Sequence, residues 1–168
     1  MEKIRHQLII GTTAEQVYHA ITTPHGLSNW WAPHTTTDTE PGGIARIPFG
    51  NGYFKEMVLV TLDPFSQVVW NCVAGDDQWI GTTITFNLQE RIRHTILKDH
   101  PELSGQAEQN ESEYVTVVTF EHLGWKAATS MHAECSYTWA LFLRSLKLFC
   151  ETGRGTPWPH QHRTAIEG

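Results

Sequence analysis

Apolar side chains recur along residues 131–151 at helical spacing. Met131, Cys135, Trp139, Phe142, Leu146 and Phe149 fall on one narrow stripe when the segment is projected at about 100° per residue, and Glu134, Arg144, Lys147 and Glu151 fall on its flanks and back. Thr129 or Ser130 is placed to cap the start, and Gly153 stands where a left-handed C-terminal residue is wanted. Some 20 residues at roughly 1.5 Å each make a helix about 30 Å long, enough to cross a small domain. The charged residues within it argue against a membrane span.

Upstream, the pattern changes to alternation. Residues 3–10 place Ile4, Leu8 and Ile10 on one face and Lys3, Arg5 and Gln7 on the other, as in a half-buried strand. Thr12 followed by Glu15 reads as a capping box, after which Ala14, Val17, Tyr18 and Ile21 repeat with helical period. Pro24 suits the first position of a second short helix capped by Thr23, with Leu27, Trp30 and Trp31 on one face and Pro33 as its stop. Residues 35–43 read as irregular. Strand-like runs follow at 44–49, 54–62, 68–73 and 79–88, with another at 114–122. Gly50-Asn51-Gly52, Asp63-Pro64 and Gly75-Asp76-Asp77 separate the first four as turns, so neighbouring strands run antiparallel in a meander.

Residues 90–113 break the pattern. This stretch holds nine Asp, Glu, Lys and Arg residues with Pro101 and Gly105 near its middle. Its first residues either prolong the preceding strand or form a short helix, and the rest reads as a solvated surface insertion, with a lid as the alternative. The tail, residues 158–168, is expected to lack fixed structure.

Composition narrows the class. A chain of 168 residues suits one domain, and 40% hydrophobic content with 7 Trp and 7 Phe indicates a globular interior rich in aromatics. The net charge of −6, with scattered Lys and Arg, leaves no basic footprint for nucleic acid. Cys72, Cys135 and Cys150 are odd in number and widely spaced, which reads as reduced thiols in a cytoplasmic protein. The N-terminal residues alternate rather than forming a signal sequence, and neither a targeting nor a membrane segment is expected.

Signals for chemistry are sparse. His132 and Cys135 stand three apart on the long helix, and His122 or His6 could complete a metal site. Without a C-x-x-C or H-E-x-x-H pattern, neither a metal site nor a cofactor is expected. Ser145 and Cys135 lack the context of an activated nucleophile, and Asp76-Asp77 read as turn-formers.

The order of elements resembles the helix-grip fold of the SRPBCC superfamily, which includes START-like lipid-binding domains. Several motifs resemble the family named for activators of the heat-shock-protein-90 ATPase: Ala14-x-x-Val17-Tyr18-x-Ala20-Ile21-Thr22, Trp30-Trp31-Ala32-Pro33, Trp79-x-Gly81-Thr82 and Phe120-x-His122-x-Gly124-Trp125. The clearest is Cys135-x-x-x-Trp139-x-x-Phe142-Leu143-x-Ser145-Leu146-Lys147, followed by Glu151-x-Gly153-x-Gly155-x-Pro157. The resemblance implies an α+β helix-grip fold: a curved antiparallel sheet of about six or seven strands wrapped around the long C-terminal helix, with two short helices after strand 1. It implies one domain over residues 1–157, interrupted by the insertion at 90–113, where family members usually turn directly between strands.

A grip of this kind leaves a cavity between sheet and helix. The expected lining is Trp30, Trp31, Trp70, Ile84, Phe86, Val118, Phe120, Cys135, Trp139 and Phe142, with His6, Tyr18, Glu56 and His122 as polar candidates. The implied function is binding of a hydrophobic or aromatic small molecule. One alternative is a cyclase- or dehydratase-like enzyme using a cavity acid–base residue, since some superfamily members are such enzymes. Another is co-chaperone stimulation of a chaperone ATPase, although eukaryotic activators carry an additional N-terminal domain and this chain starts at its first strand. A monomer and a homodimer are both compatible with the sequence.

Overall fold

In the computed structural model, which describes residues 2–107 and 111–164, strand β1 (Glu2–Ile10) leads into helices α1 (Ala14–Thr22) and α2 (Pro24–Trp30). Strands β2 (Thr36–Thr37), β3 (Ile44–Pro48), β4 (Phe54–Asp63), β5 (Gln67–Ala74) and β6 (Thr83–Ile92) follow. After β6 come helix α3 (Arg93–Asp99), a 3-10 turn (Pro101–Leu103) and the short helix α4 (Ser104–Ala107). Strand β7 (Tyr114–Trp125) and helix α5 (Ser130–Thr152) complete the regular structure. The strands form one antiparallel sheet in the order β1-β7-β6-β5-β4-β3-β2. The first strand therefore pairs with the last, His6 opposite Phe120, and the rest is a meander. This is the α+β helix grip that the family resemblance implied.

Alternation decides which side chains meet α5. Ala45 and Ile47 on β3, Met57 and Leu59 on β4, Val68 and Trp70 on β5, Ile84 and Phe86 on β6, and Val118 and Phe120 on β7 are all buried on the concave face. A bulge in β4 keeps this pattern going, because the pairing steps from Leu59 opposite Trp70 to Thr61 opposite Val69. The extra residue, Val60, is turned outward, and Leu62 returns to the inner face.

The helix ends follow local chemistry. Thr129 Oγ1 accepts from the His132 amide at 3.2 Å, and Gly153 closes α5 at φ +84°, a conformation costly for any residue with a Cβ. Thr23 caps α2 as expected, accepting from the Gly26 amide at 3.0 Å. The cap of α1 is Thr13 rather than Thr12, because Thr13 Oγ1 accepts from Gln16 N while the Thr12 carbonyl accepts from Thr116 Oγ1. Ser145, buried in α5, donates to the Trp30 carbonyl at 2.8 Å and accepts from the Thr156 amide at 2.7 Å. Gly155 sits against this junction, where an added Cβ would lie 2.6 Å from the Asn29 carbonyl oxygen. The glycine after the helix thus permits close packing of α2, α5 and the tail.

Three stretches depart from the sequence expectation. Residues 79–82, read as strand, form a turn, because the Trp79 and Ile80 amides both donate to the Asp76 carbonyl and Asp76 Oδ1 accepts from Gln78 N. The short β2 forms within the segment read as irregular. The insertion is not simply solvated: β6 continues to Ile92, and the helices beyond it bury Ile96 and Ala107 against Ile9 and Val115 on the outer face of the sheet. The tail from 158 to 164 packs onto the domain through partly buried Trp158, whose amide donates to the Trp31 carbonyl at 2.7 Å. Residues 165–168, also expected to be unstructured, lie outside the described residues.

The insertion also covers the sheet edge. The edge strand β1 presents unpaired backbone groups. Gln106 Oε1 accepts from Ile9 N at 2.8 Å, and Lys147 Nζ donates to the Ile9 carbonyl at 2.6 Å, to the Gln106 carbonyl at 2.7 Å and to Glu151 Oε2 at 2.7 Å. Glu151 Oε2 also accepts from Gly11 N at 2.7 Å. The Glu151 side chain is only 6% exposed, so removing its cation leaves a buried carboxylate unpaired. Lys147→Met is expected to lower the unfolding free energy by about 3 kcal/mol. Denaturant titration should show a lower midpoint at unchanged slope, and hydrogen exchange at the Ile9 amide should accelerate. A loss below about 1 kcal/mol would mean that the node is solvated in solution.

Candidate functional site

A cleft of about 430 Å³ opens between the N-terminal half of α5 and one end of the sheet. Its apolar walls are Trp31, Phe49, Trp79, Met131, Trp139, Phe142 and Trp158, and its polar groups come from Tyr53, Lys55, Asp76, Glu134, Cys135, Thr138 and Gln161. Each wall is set by a different local device. Lys55 takes the same inward parity as Met57 and Leu59, at the end of β4 where the sheet runs out of helix to cover it. The Asp76 turn aims Trp79 back over α5, where its indole stacks on Trp139 with centroids 6.0 Å apart. Trp158 meets Phe49 edge-on at 5.7 Å.

Lys55 is the one cation among these lining residues. Its Nζ lies 4.3 Å from the centroid of Phe49, 4.4 Å from that of Trp79 and 5.0 Å from that of Tyr53. Among the described residues, no carboxylate stands within ion-pairing distance of it. Burial pulls the Lys55 pKa below the ordinary lysine value. Cys135 Sγ accepts from Trp79 Nε1 at 3.3 Å, and burial pushes its thiol pKa up, as it does that of Cys72. Both sulfurs are therefore protonated at neutral pH and do not neutralise the lysine. Gln161 is 8% exposed, and its Oε1 finds no hydrogen-bond partner among the described residues.

Of the side chains expected to line a cavity, Trp31, Cys135, Trp139 and Phe142 do so. Trp30, Trp70, Ile84, Phe86, Val118 and Phe120 fill the interior instead. Trp31 stacks on both Trp30 and Trp70 at 5.7 Å, Phe86 meets Trp70 and Phe120 at 5.2 Å, and Phe120 lies 4.5 Å from Trp139. The five on strands face inward as the alternation requires, and Trp30 does so from α2, but other rings occupy the space they face.

None of the four polar candidates reaches the cleft. The His6 ring stacks on Phe120 and its Nε2 donates to the Ser136 carbonyl at 3.0 Å, alongside β1. Tyr18 packs edge-on against Phe65, with its phenol pKa raised by burial and then by Asp63. Glu56 stands opposite Arg46 on the other face of the sheet from Lys55 and Met57. His122 faces inward but is sealed behind Trp79 and Trp139, with no exposed surface.

The surroundings of His122 fix its protonation. Trp139 Nε1 donates to Nδ1 at 3.1 Å, so the ring proton sits on Nε2, which donates to Thr82 Oγ1 at 2.7 Å. Thr82 Oγ1 in turn donates to the Trp79 carbonyl at 2.5 Å. Burial first, then the nearby His132 and Lys55, lower the His122 pKa to about 3.

The cleft residues that sequence reading missed are Phe49, Tyr53, Lys55, Asp76, Trp79, Met131, Glu134, Thr138, Trp158 and Gln161. Strand parity could have found Lys55, because a lysine in phase with Met57 and Leu59 must point inward. Nothing local marked Trp158 or Gln161. Among the described residues, no three His, Cys, Asp or Glu side chains converge as metal ligands, and no helix is long and apolar enough to cross a membrane.

The model of the family described as Activator of Hsp90 ATPase homolog 1-like protein matches residues 11–151. The chain belongs to this family. Among solved structures, the Aha1 dimer from Colwellia psychrerythraea is 30% identical with a TM-score of 0.71, over 92% of this chain and 100% of that one. A protein from Mesorhizobium loti (16% identity, TM-score 0.62, covering 87% of this chain and 94% of that one) shares the fold. So does CalU16 from Micromonospora echinospora (14% identity, TM-score 0.62, covering 90% and 77%). No curated protein matches the chain. Lys55, Trp79 and Trp139 lie within the span matched by the family, whereas Trp158 and Gln161 lie beyond it.

The His122 geometry makes a pH prediction. The unfolded chain takes up this proton near pH 6.5 and the folded chain near pH 3. Below pH 6.5 the unfolded state therefore binds more protons, and stability falls as the pH drops from 6.5 toward 3. The contribution lost over that window is on the order of a few kcal/mol. Imidazole nitrogen NMR should show the neutral Nε2–H form of His122 persisting down to about pH 4.5. A titration midpoint close to 6.5 at His122 would mean that the sealed network is wrong.

Proposed function

We propose that the protein binds a flat, apolar small molecule in the cleft beside α5. The observation that carries this reading is a space of about 430 Å³ whose walls include Trp31, Trp79, Trp139 and Phe142. The same inner face is otherwise filled by interlocking rings, so this opening stands out from a well-packed interior. Removing roughly 200 Å² of apolar ligand surface from water is worth about 5 kcal/mol, a dissociation constant of about 0.2 mM before the cost of immobilisation, so affinities from the high micromolar to the millimolar range are expected from this surface alone. The family's START-like fold supports a binding role. Free Cys72, Cys135 and Cys150 support a reducing compartment such as the cytoplasm.

The enzyme alternative rested on a cavity histidine. His6 and His122 both lie away from the cleft lining, which removes support from that route. A second reading, stimulation of a chaperone ATPase, draws on the 30% identity to a protein named Aha1. It is tested by ATP turnover of a purified chaperone with and without stoichiometric amounts of this protein. The same relative is described as a dimer, which makes a homodimer the assembly to look for by light scattering.

The cleft reading is tested by titrating a panel of two- and three-ring aromatic compounds while following tryptophan emission, which Trp31, Trp79, Trp139 and Trp158 report from the walls. Several compounds should quench or shift it saturably. Trp158→Ala should weaken binding by about 5-fold or more, whereas Val118→Ala, in the filled interior, should cost about 1 kcal/mol of stability and leave affinity within about 2-fold. Emission unmoved by every compound would defeat the proposal.

A further inference from the structure

The polar groups of the cleft specify more than an apolar ligand. Lys55 Nζ carries three N–H donors, and no hydrogen bond to any described residue uses them. Rings of Phe49, Tyr53 and Trp79 surround it and favour an ammonium, but a ring face is a poor substitute for a hydrogen-bond acceptor. The other titratable groups nearby do not complete its shell. Asp76 favours the Lys55 charge through space but stands beyond ion-pairing distance, with its Oδ1 accepting from the Gln78 amide, and the Tyr53 hydroxyl accepts from Asp76 N. Cys72 and Cys135 are neutral thiols, and Glu134 is solvent-exposed at the rim, where water screens it.

The geometry points to a ligand that carries an anionic group on its apolar body, with the anion paired to Lys55 Nζ between the Phe49 and Trp79 rings. This deepens the cleft-binding reading and rests on it. A carboxylate, sulfonate or phenolate would supply the missing acceptors as charge-assisted hydrogen bonds in a site partly shielded from water. Burial of the bare lysine disfavours its charge, and an arriving anion offsets that penalty. Gln161, nine-tenths buried with Oε1 unpartnered on the same lining, offers an acceptor to a hydroxyl or N–H elsewhere on the ligand.

The test uses three probes of one shape: 2-naphthoate, 2-naphthamide and 2-naphthylmethylammonium, titrated into the full-length protein by tryptophan emission or calorimetry. The wild type should bind the naphthoate about 10-fold or more tighter than the amide, and the ammonium weakest. In Lys55→Met the naphthoate and amide affinities should converge to within about 3-fold while the amide affinity stays near its wild-type value. Lys55→Gln, a polar replacement, gives the same reading should the methionine variant fold poorly. Lys55→Arg and Gln161→Leu should both keep the anion preference, since one retains the charge and the other touches only the acceptor. Equal binding of naphthoate and amide by the wild type, or a preference that survives in Lys55→Met, would overturn the proposal while leaving the cleft reading intact. If none of the three probes and no compound of the aromatic panel binds, both fall together.

Discussion

Trp139 is the contact on which the rest of the structure turns. Its large apolar ring belongs between α5 and the sheet, but its indole N–H cannot be buried without an acceptor. His122 supplies that acceptor from β7, Thr82 receives the proton on the opposite side of the imidazole, and the Trp79 carbonyl receives the next. Four groups from α5, β7 and the turn before β6 are thus held in one direction of donation. A buried polar chain is stabilising only when every member is satisfied, and here each donor has its acceptor. The result fixes how closely α5 approaches the sheet.

That spacing explains why the interior is filled at one end and open at the other. Around Phe86, Phe120 and Trp70 the rings interlock at centroid distances of 5.2 Å, leaving no room for a ligand. Beyond Trp139, toward the start of α5, the covering helix no longer reaches the ends of β3 and β4. The turn bearing Trp79 and the tail bearing Trp158 close the sides but leave about 430 Å³ between them. Lys55 falls in this gap. An inward lysine under the middle of the helix would be intolerable, whereas at the mouth it lies among aromatic faces with solvent close by. Family membership sets the frame, and the tail beyond residue 151 supplies two of the walls.

The insertion after β6 belongs to the opposite side of the molecule. None of residues 93–107 lines the cleft, so its role in the fold is to cover the free edge of β1 through Gln106 and to bury Ile96 and Ala107 on the convex face. Its charge content hid this, since only a few apolar residues in it are needed to seat two short helices. Here composition was a poor guide, because the apolar residues that matter were spread among many solvated ones.

Alternation and helical period in the chain were enough to determine most of the element order, the antiparallel meander and the aromatic stripe of α5. Those features depend on side chains a few residues apart, where geometry is set by the backbone alone. Strand parity turns Trp70, Phe86 and Phe120 inward, and all three are buried. Only the tertiary structure decided that these rings meet one another while Trp31, Cys135, Trp139 and Phe142 meet open space. It alone brought Lys55, Trp79, Trp158 and Gln161 to one cleft and shut His122 away from it. Whether an inward side chain finds a neighbour or a void depends on how far α5 stands from each strand. That distance is set by contacts between residues far apart in the chain, such as Trp139 with His122, which no local pattern encodes.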